Sequence, residues 1–159
     1  MINVGAMSVT TPSDREILLT RVFNAPRHLV WEAWTSPKHL PKWMLGPDGW
    51  TMIVCEIDLR PGGERRLVWS HTNGDRMEIL GVFQEVKPPE KLVATESWGG
   101  PWPETLVTLD LTEKDGVTTA TMTILYPSLE ARDAALNSGM KQGMALSFNR
   151  LEAHLLQIS

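Results

Sequence analysis

Two periodicities divide the chain. Between Trp50 and Leu125 apolar residues recur at every second position in short runs, the signature of half-buried strands. From Leu129 to Ile158 they recur three and four apart (Leu136, Met140, Met144, Phe148 or Ser147, Leu151, Leu155), the signature of an amphipathic helix, with Ser138-Gly139 a candidate break. Ahead of both, residues 15–23 read as a strand. Pro26 suits a first helical turn, after which Leu29, Val30, Ala33 and Trp34 keep helical spacing. Pro37 ends that helix and opens a shorter one, Lys38 to Trp43, interrupted at Pro41. The predicted strands are 51–59, 64–71, 76–86, 91–98, 105–111 and 117–125. They are separated by Arg60-Pro61-Gly62-Gly63, Thr72-Asn73-Gly74-Asp75, Pro88-Pro89, a Gly- and Pro-rich loop through Pro103, and Lys114-Asp115-Gly116.

One strand, two short helices, six strands and a long helix make an α+β protein. The connections are too short for parallel crossovers, so the sheet of about seven strands is antiparallel. The apolar stripe of the C-terminal helix must then lie on one face of that sheet. Residues 1–14 carry neither periodicity and read as a flexible leader, with Met7 an alternative start to Met1; residues 15–159 form a single domain.

Composition narrows the partners. A chain of 159 residues buries about 68–70% of its unfolded surface and needs no disulfide or metal for stability. Fifteen Lys and Arg against nineteen Asp and Glu argue against a nucleic-acid partner or an anionic membrane surface, and no apolar run reaches membrane-span length. The lone Cys55 fits a reducing cytoplasm. Seven Trp stand against three Phe and one Tyr, with eight Met beside them. Large polarizable side chains in that proportion suit an irregular core or a ligand cavity.

Several motifs occur in one order: Arg21-Val22-Phe23-Asn24-Ala25-Pro26 with Val30-Trp31-Glu32-Ala33-Trp34, then Asp58-Leu59-Arg60-Pro61-Gly62-Gly63, then Gly81-Val82-Phe83-Gln84-Glu85-Val86 leading to Pro88-Pro89-Glu90-Lys91-Leu92-Val93. Arg132-Asp133-Ala134, Ser138-Gly139-Met140 and Gly143-Met144 with Arg150-Leu151 close the series. Together they resemble the START/SRPBCC superfamily, in the branch named for the activator of the heat-shock-protein-ninety ATPase, over roughly residues 15–157. The resemblance implies a helix-grip fold, a curved sheet wrapped around the C-terminal helix. It also implies a cavity between the two, where superfamily relatives hold lipids, sterols, polyketides or plant hormones.

Within that frame the alternation assigns faces. Arg65, Leu67, Trp69 and His71 share one; Ala94, Glu96 and Trp98 share another, as do Val107, Leu109 and Leu111, and Ala120, Met122 and Ile124. The expected pocket is lined by Trp43, Met52, Trp69, Trp98, Met122, Met140 and Met144, although the same side chains at these spacings also serve as plain core. Arg65, His71 and Glu96 are the expected polar groups, with Arg65 and Glu96 a candidate pair, because a buried charge needs a partner. The four His have no metal-ligand spacing, and neither a Ser nucleophile elbow nor a phosphate-binding Gly loop is present. Gly81 within a strand marks a bulge or a close approach, and Cys55 reads as an inert thiol. The expectation is a binder of an apolar or amphipathic molecule with no cofactor and no catalytic set. The alternatives are a cyclase-like enzyme using His71, Glu96 or Arg65 as acid or base, or a chaperone-related interaction module. A homodimer is the default assembly.

Overall fold

A computed structural model describes residues 6–158. Among these, eight strands form one open antiparallel sheet: β1 (Met7–Thr10), β2 (Glu16–Phe23), β3 (Trp50–Ile57), β4 (Glu64–His71), β5 (Arg76–Lys87), β6 (Lys91–Glu96), β7 (Thr105–Lys114) and β8 (Val117–Leu125). Their order is β1-β2-β8-β7-β6-β5-β4-β3, so the first predicted strand closes against the last and β3 forms one edge. The helices are α1 (Arg27–Thr35), α2 (Leu129–Leu136) and α3 (Met140–Ile158), with a 3₁₀ turn at Leu40–Lys42.

The helix-grip reading of the sequence holds, with two adjustments and one expected break. The strand Met7–Thr10 lies inside the segment read as a flexible leader. It pairs with Leu18–Arg21 of β2 and half-buries Met7 and Val9, a four-residue element too short to show a period of its own. Residues 1–5, and with them Met1, lie outside the described residues. The C-terminal helical pattern is two helices, parted at the candidate break Ser138-Gly139, where Gly139 takes φ +83°, a left-handed conformation that glycine adopts without strain. The second short helix contracts to the single 3₁₀ turn, whose first residues carry Pro41.

The alternation then resolves into an inner and an outer face. Ile17, Leu19, Arg21 and Phe23 of β2, with Thr118, Ala120, Met122 and Ile124 of β8, turn inward and are buried. Phe148, Leu151 and Leu155 of α3 join them in the core. Phe148 is ringed by Phe23, Trp34 and Trp43 at centroid separations of 5.9, 5.6 and 6.4 Å, so α1 and the 3₁₀ turn close one end of the groove. The N-terminal half of α3 covers the other end less completely: Met140 and Met144 are only half-buried.

Candidate functional site

The inner face of β4 presents Arg65, Leu67 and Trp69, and β5 lies beside it with Gly81 opposite Arg65 and Ile79 opposite Leu67. Gly81 matters because it has no side chain. A Cβ there would stand 2.2 Å from the carbonyl oxygen of Thr95, so β5 and β6 approach at this point as only glycine permits. The ladder is irregular on both sides: Val82 N donates to Thr95 Oγ1 at 3.0 Å, and Leu80 pairs with Ser97 through an isolated bridge. Across this gap the Arg65 side chain spans β5 and donates from Nη2 to Glu96 Oε2 at 2.7 Å. The pair predicted from alternation therefore forms, and its two members are 6% and 20% exposed. Arg65 also lies 5.9 Å from the centre of the Phe83 ring, while its buried Nε has no hydrogen-bond partner among the described residues.

A second, aromatic link spans the same strand. Trp69 and Trp98 stack with centroids 5.7 Å apart and planes 11° from parallel. Trp69 is 5% exposed and donates its indole N–H to Met44 O at 2.8 Å, whereas Trp98 is 38% exposed. Met52 lies opposite Trp69 on β3, buried, and a bulge between Met52 and Val54 breaks the alternation of that strand. Met122 is buried between Leu19 and Leu109 on the inner face.

Two of the expected residues stand apart. Trp43 is fully buried, donates to Ala33 O at 2.9 Å and packs edge-on against Trp34, within the aromatic cluster under α1. His71 sits at the far end of β4, roughly 20 Å along the strand from Arg65 at about 3.4 Å per residue. There it packs against Trp50, and its Nδ1 accepts from Asn73 N in the adjoining turn. It does not converge with Arg65 and Glu96.

The segment between the 3₁₀ turn and β3 is strapped to α3. Gly46 N donates to Ser147 Oγ at 2.9 Å, and Arg150 donates to Gly46 O and to Asp48 Oδ1. A deeper anchor is Arg21, 2% exposed under α3, which donates to Asn149 Oδ1 at 2.9 Å and to Glu152 Oε2 at 3.4 Å. Burial pulls its pKa below the ordinary arginine value, against the opposing pull of Glu152. The sequence pattern does not mark Arg21, Ser147 or Tyr126 as site residues, though extending the alternation of Met122 and Ile124 past Leu125 turns Tyr126 inward. Burial raises the Cys55 thiol pKa, with Arg65 opposing, as suits an inert thiol.

Two clefts are formed at the surface of the described residues. One, of about 520 Å³, lies between Pro101, Trp102, Pro103 and the start of α2 at Pro127, Ser128 and Ala131. The other, of about 340 Å³, runs over β4–β6 past Arg66, Leu80, Val82 and Ser97 and reaches Arg65 and Gly81. Among the described residues no group of three or more His, Cys, Asp or Glu is placed to hold a metal ion, and no helix is long and apolar enough to cross a membrane.

A profile of the family described as Activator of Hsp90 ATPase homolog 1-like protein matches residues 24–156. No curated protein matches the chain. Among solved structures, a protein of Rhodobacter sphaeroides is similar with a TM-score of 0.91 at 32% identity, covering 95% of this chain and 98% of its own. A protein of Nitrosomonas europaea gives 0.82 at 27% identity over 94% of this chain and 100% of its own. One of Mycobacterium smegmatis gives 0.81 at 25% over 94% and 97%.

Proposed function

The chain belongs to the Activator of Hsp90 ATPase homolog 1-like family, and from that premise we propose that it binds an apolar or amphipathic small molecule between the inner face of the sheet and α3. The observation that carries the reading is the Trp69–Trp98 stack, which runs from a buried indole to a half-exposed one. It lies on the sheet's inner side, the side that the half-buried Met140 and Met144 of α3 cover. Met and Trp accommodate a guest better than branched aliphatic side chains, because one flexes and the other offers a flat face. Gly99 and Gly100, at φ +76° and +59°, follow Trp98 directly and give its loop freedom to swing. Ligand entry is then the displacement of Trp98 from Trp69, with the ring of the guest taking its place. The lone Cys55 suits a reducing compartment such as the cytoplasm.

The test is a tryptophan-fluorescence titration of the whole chain with fatty acids, flavonoids, sterols and small aromatic acids. Saturable quenching or a spectral shift that disappears in Trp69→Leu is the expected result. A flat response across all four classes overturns the reading.

A further inference from the structure

Strand register lines up more polar side chains beside Arg65 and Glu96 than their salt bridge alone. Arg65 is opposite Gly81, Glu96 is opposite Thr105, and Leu106 is opposite Leu125, which brings Tyr126 into the row of Thr105. Thr105 shares the inward parity of the buried Leu109 and Leu111; Tyr126 shares that of Met122 and Ile124. Both are buried, at 8% and 7% exposure. Arg65, Glu96, Thr105 and Tyr126 therefore form a transverse row of hydrogen-bonding groups on a face otherwise made of Phe83, Ile79, Val107, Ile124 and the Trp pair. One donor in the row, Arg65 Nε, is buried without a partner among the described residues.

Resting on the binding reading above, we infer that this row receives the polar end of the ligand, and that this end is uncharged, a carbonyl or hydroxyl on an aromatic or alicyclic body. The charge balance decides between neutral and ionic ligands. Arg65 and Glu96 already neutralise one another at 2.7 Å. A carboxylate or phosphate entering the row would compete with Glu96 for the guanidinium while lying against its negative charge. An ammonium would meet the reverse conflict with Arg65. Either ion would lose its water without an uncommitted counter-charge. A neutral carbonyl loses far less and can accept from a donor left open in the row. Tyr126 supports the same selection: burial first, and the Glu96 charge second, push its phenol up to about 12, so it stays an uncharged donor and acceptor at any working pH.

Four naphthalenes that share one ring system separate the possibilities by isothermal titration calorimetry on the full chain at pH 7: 2-ethylnaphthalene, 2-acetylnaphthalene, 2-naphthoate and 2-naphthylmethylammonium. The expected result is that 2-acetylnaphthalene binds about tenfold or more tighter than either ion and detectably tighter than the hydrocarbon. Tyr126→Phe or Thr105→Val should narrow the gap between ketone and hydrocarbon and leave the hydrocarbon affinity unchanged; two variants guard against one that fails to fold. Equal affinity for all four, or tightest binding of 2-naphthoate, overturns the neutral row and leaves the pocket standing. Absence of binding by all four, the hydrocarbon included, overturns the row as a site for such ligands, and the fluorescence titration above then decides whether the binding reading falls with it.

Discussion

His39, at the entry to the 3₁₀ turn, and His154, on α3, face each other with Nδ1 and Nε2 3.0 Å apart. One nitrogen must donate and the other accept, so the contact survives only while at least one ring nitrogen of the pair is unprotonated. Glu32 Oε1 of α1 lies 3.4 Å from the other nitrogen of His39. The His154 pKa is lowered by burial, then by His39, then by Lys42.

That shift fixes the sign of a pH effect. The folded-state pKa lies below the unfolded value of 6.5, so below about pH 6.5 the unfolded chain takes up the proton more readily and stability falls. Above it, both states are neutral at this group and its contribution is flat. Urea denaturation should show a lower midpoint at pH 5.5 than at pH 7.5, and His154→Gln should remove part of that difference. An unchanged pH profile in the variant would exclude the pair as its source.

The two buried arginines predict opposite outcomes for one substitution. Arg21 pairs with Glu152, whose side chain is 37% exposed and can rehydrate once its partner is gone. Arg21→Met, which also removes a costly buried cation, should stay within about 1 kcal/mol of the parent. Arg65→Met strands Glu96, only 20% exposed, and should cost about 1–3 kcal/mol. Adding Glu96→Gln should recover part of that loss. Chemical denaturation of the three variants checks the ordering, and equal losses at both sites would refute it.

Gly81→Ala is the most direct probe of how the row is built. Its new Cβ would meet the carbonyl oxygen of Thr95 at 2.2 Å, and both partners are main chain, so no side-chain rotation relieves the clash. β5 must move from β6, carrying Arg65's neighbour away from Glu96. A loss of about 1–3 kcal/mol is expected, in the range of overpacked cores, together with weaker binding of whatever ligand the fluorescence titration finds. Wild-type stability would mean that the sheet opens at this point without cost.

The faces of β4, β6, β7 and β8 were legible because an alternating pattern on a sheet with one covered side has only one acceptable register. Arg65 and Glu96 followed from that alternation, as did the inward turn of Trp69. Trp43 did not, because its direction depends on how a single 3₁₀ turn packs against Trp34 and Phe148, which no local period encodes. Met52 shares its face with Cys55 only through a bulge that one residue of slippage creates. Thr105 and Tyr126 join Arg65 only through a register carried across β4, β5, β6, β7 and the end of β8. That is a property of the folded sheet and not of any one strand.

The strap at residues 44–48 links α3 to the Trp69 side of the groove. Ser147, 2% exposed, accepts from Gly46 N, and Arg150 holds Gly46 O and Asp48 from the next turn of α3. The same segment offers Met44 O to the Trp69 indole, so it fixes both the cover over the groove and the rotamer of its central aromatic. Ser147→Ala removes one bond of about 1 kcal/mol and leaves Gly46 N to seek water. Amide exchange at Gly46 should accelerate about fivefold, the factor that energy represents, while exchange in β7 and β8 stays unchanged. If the groove opens through this strap, ligand association should quicken in the same variant. If it opens only at Trp98, association should be unaffected although the strap loosens, and the two routes are separated by that one comparison.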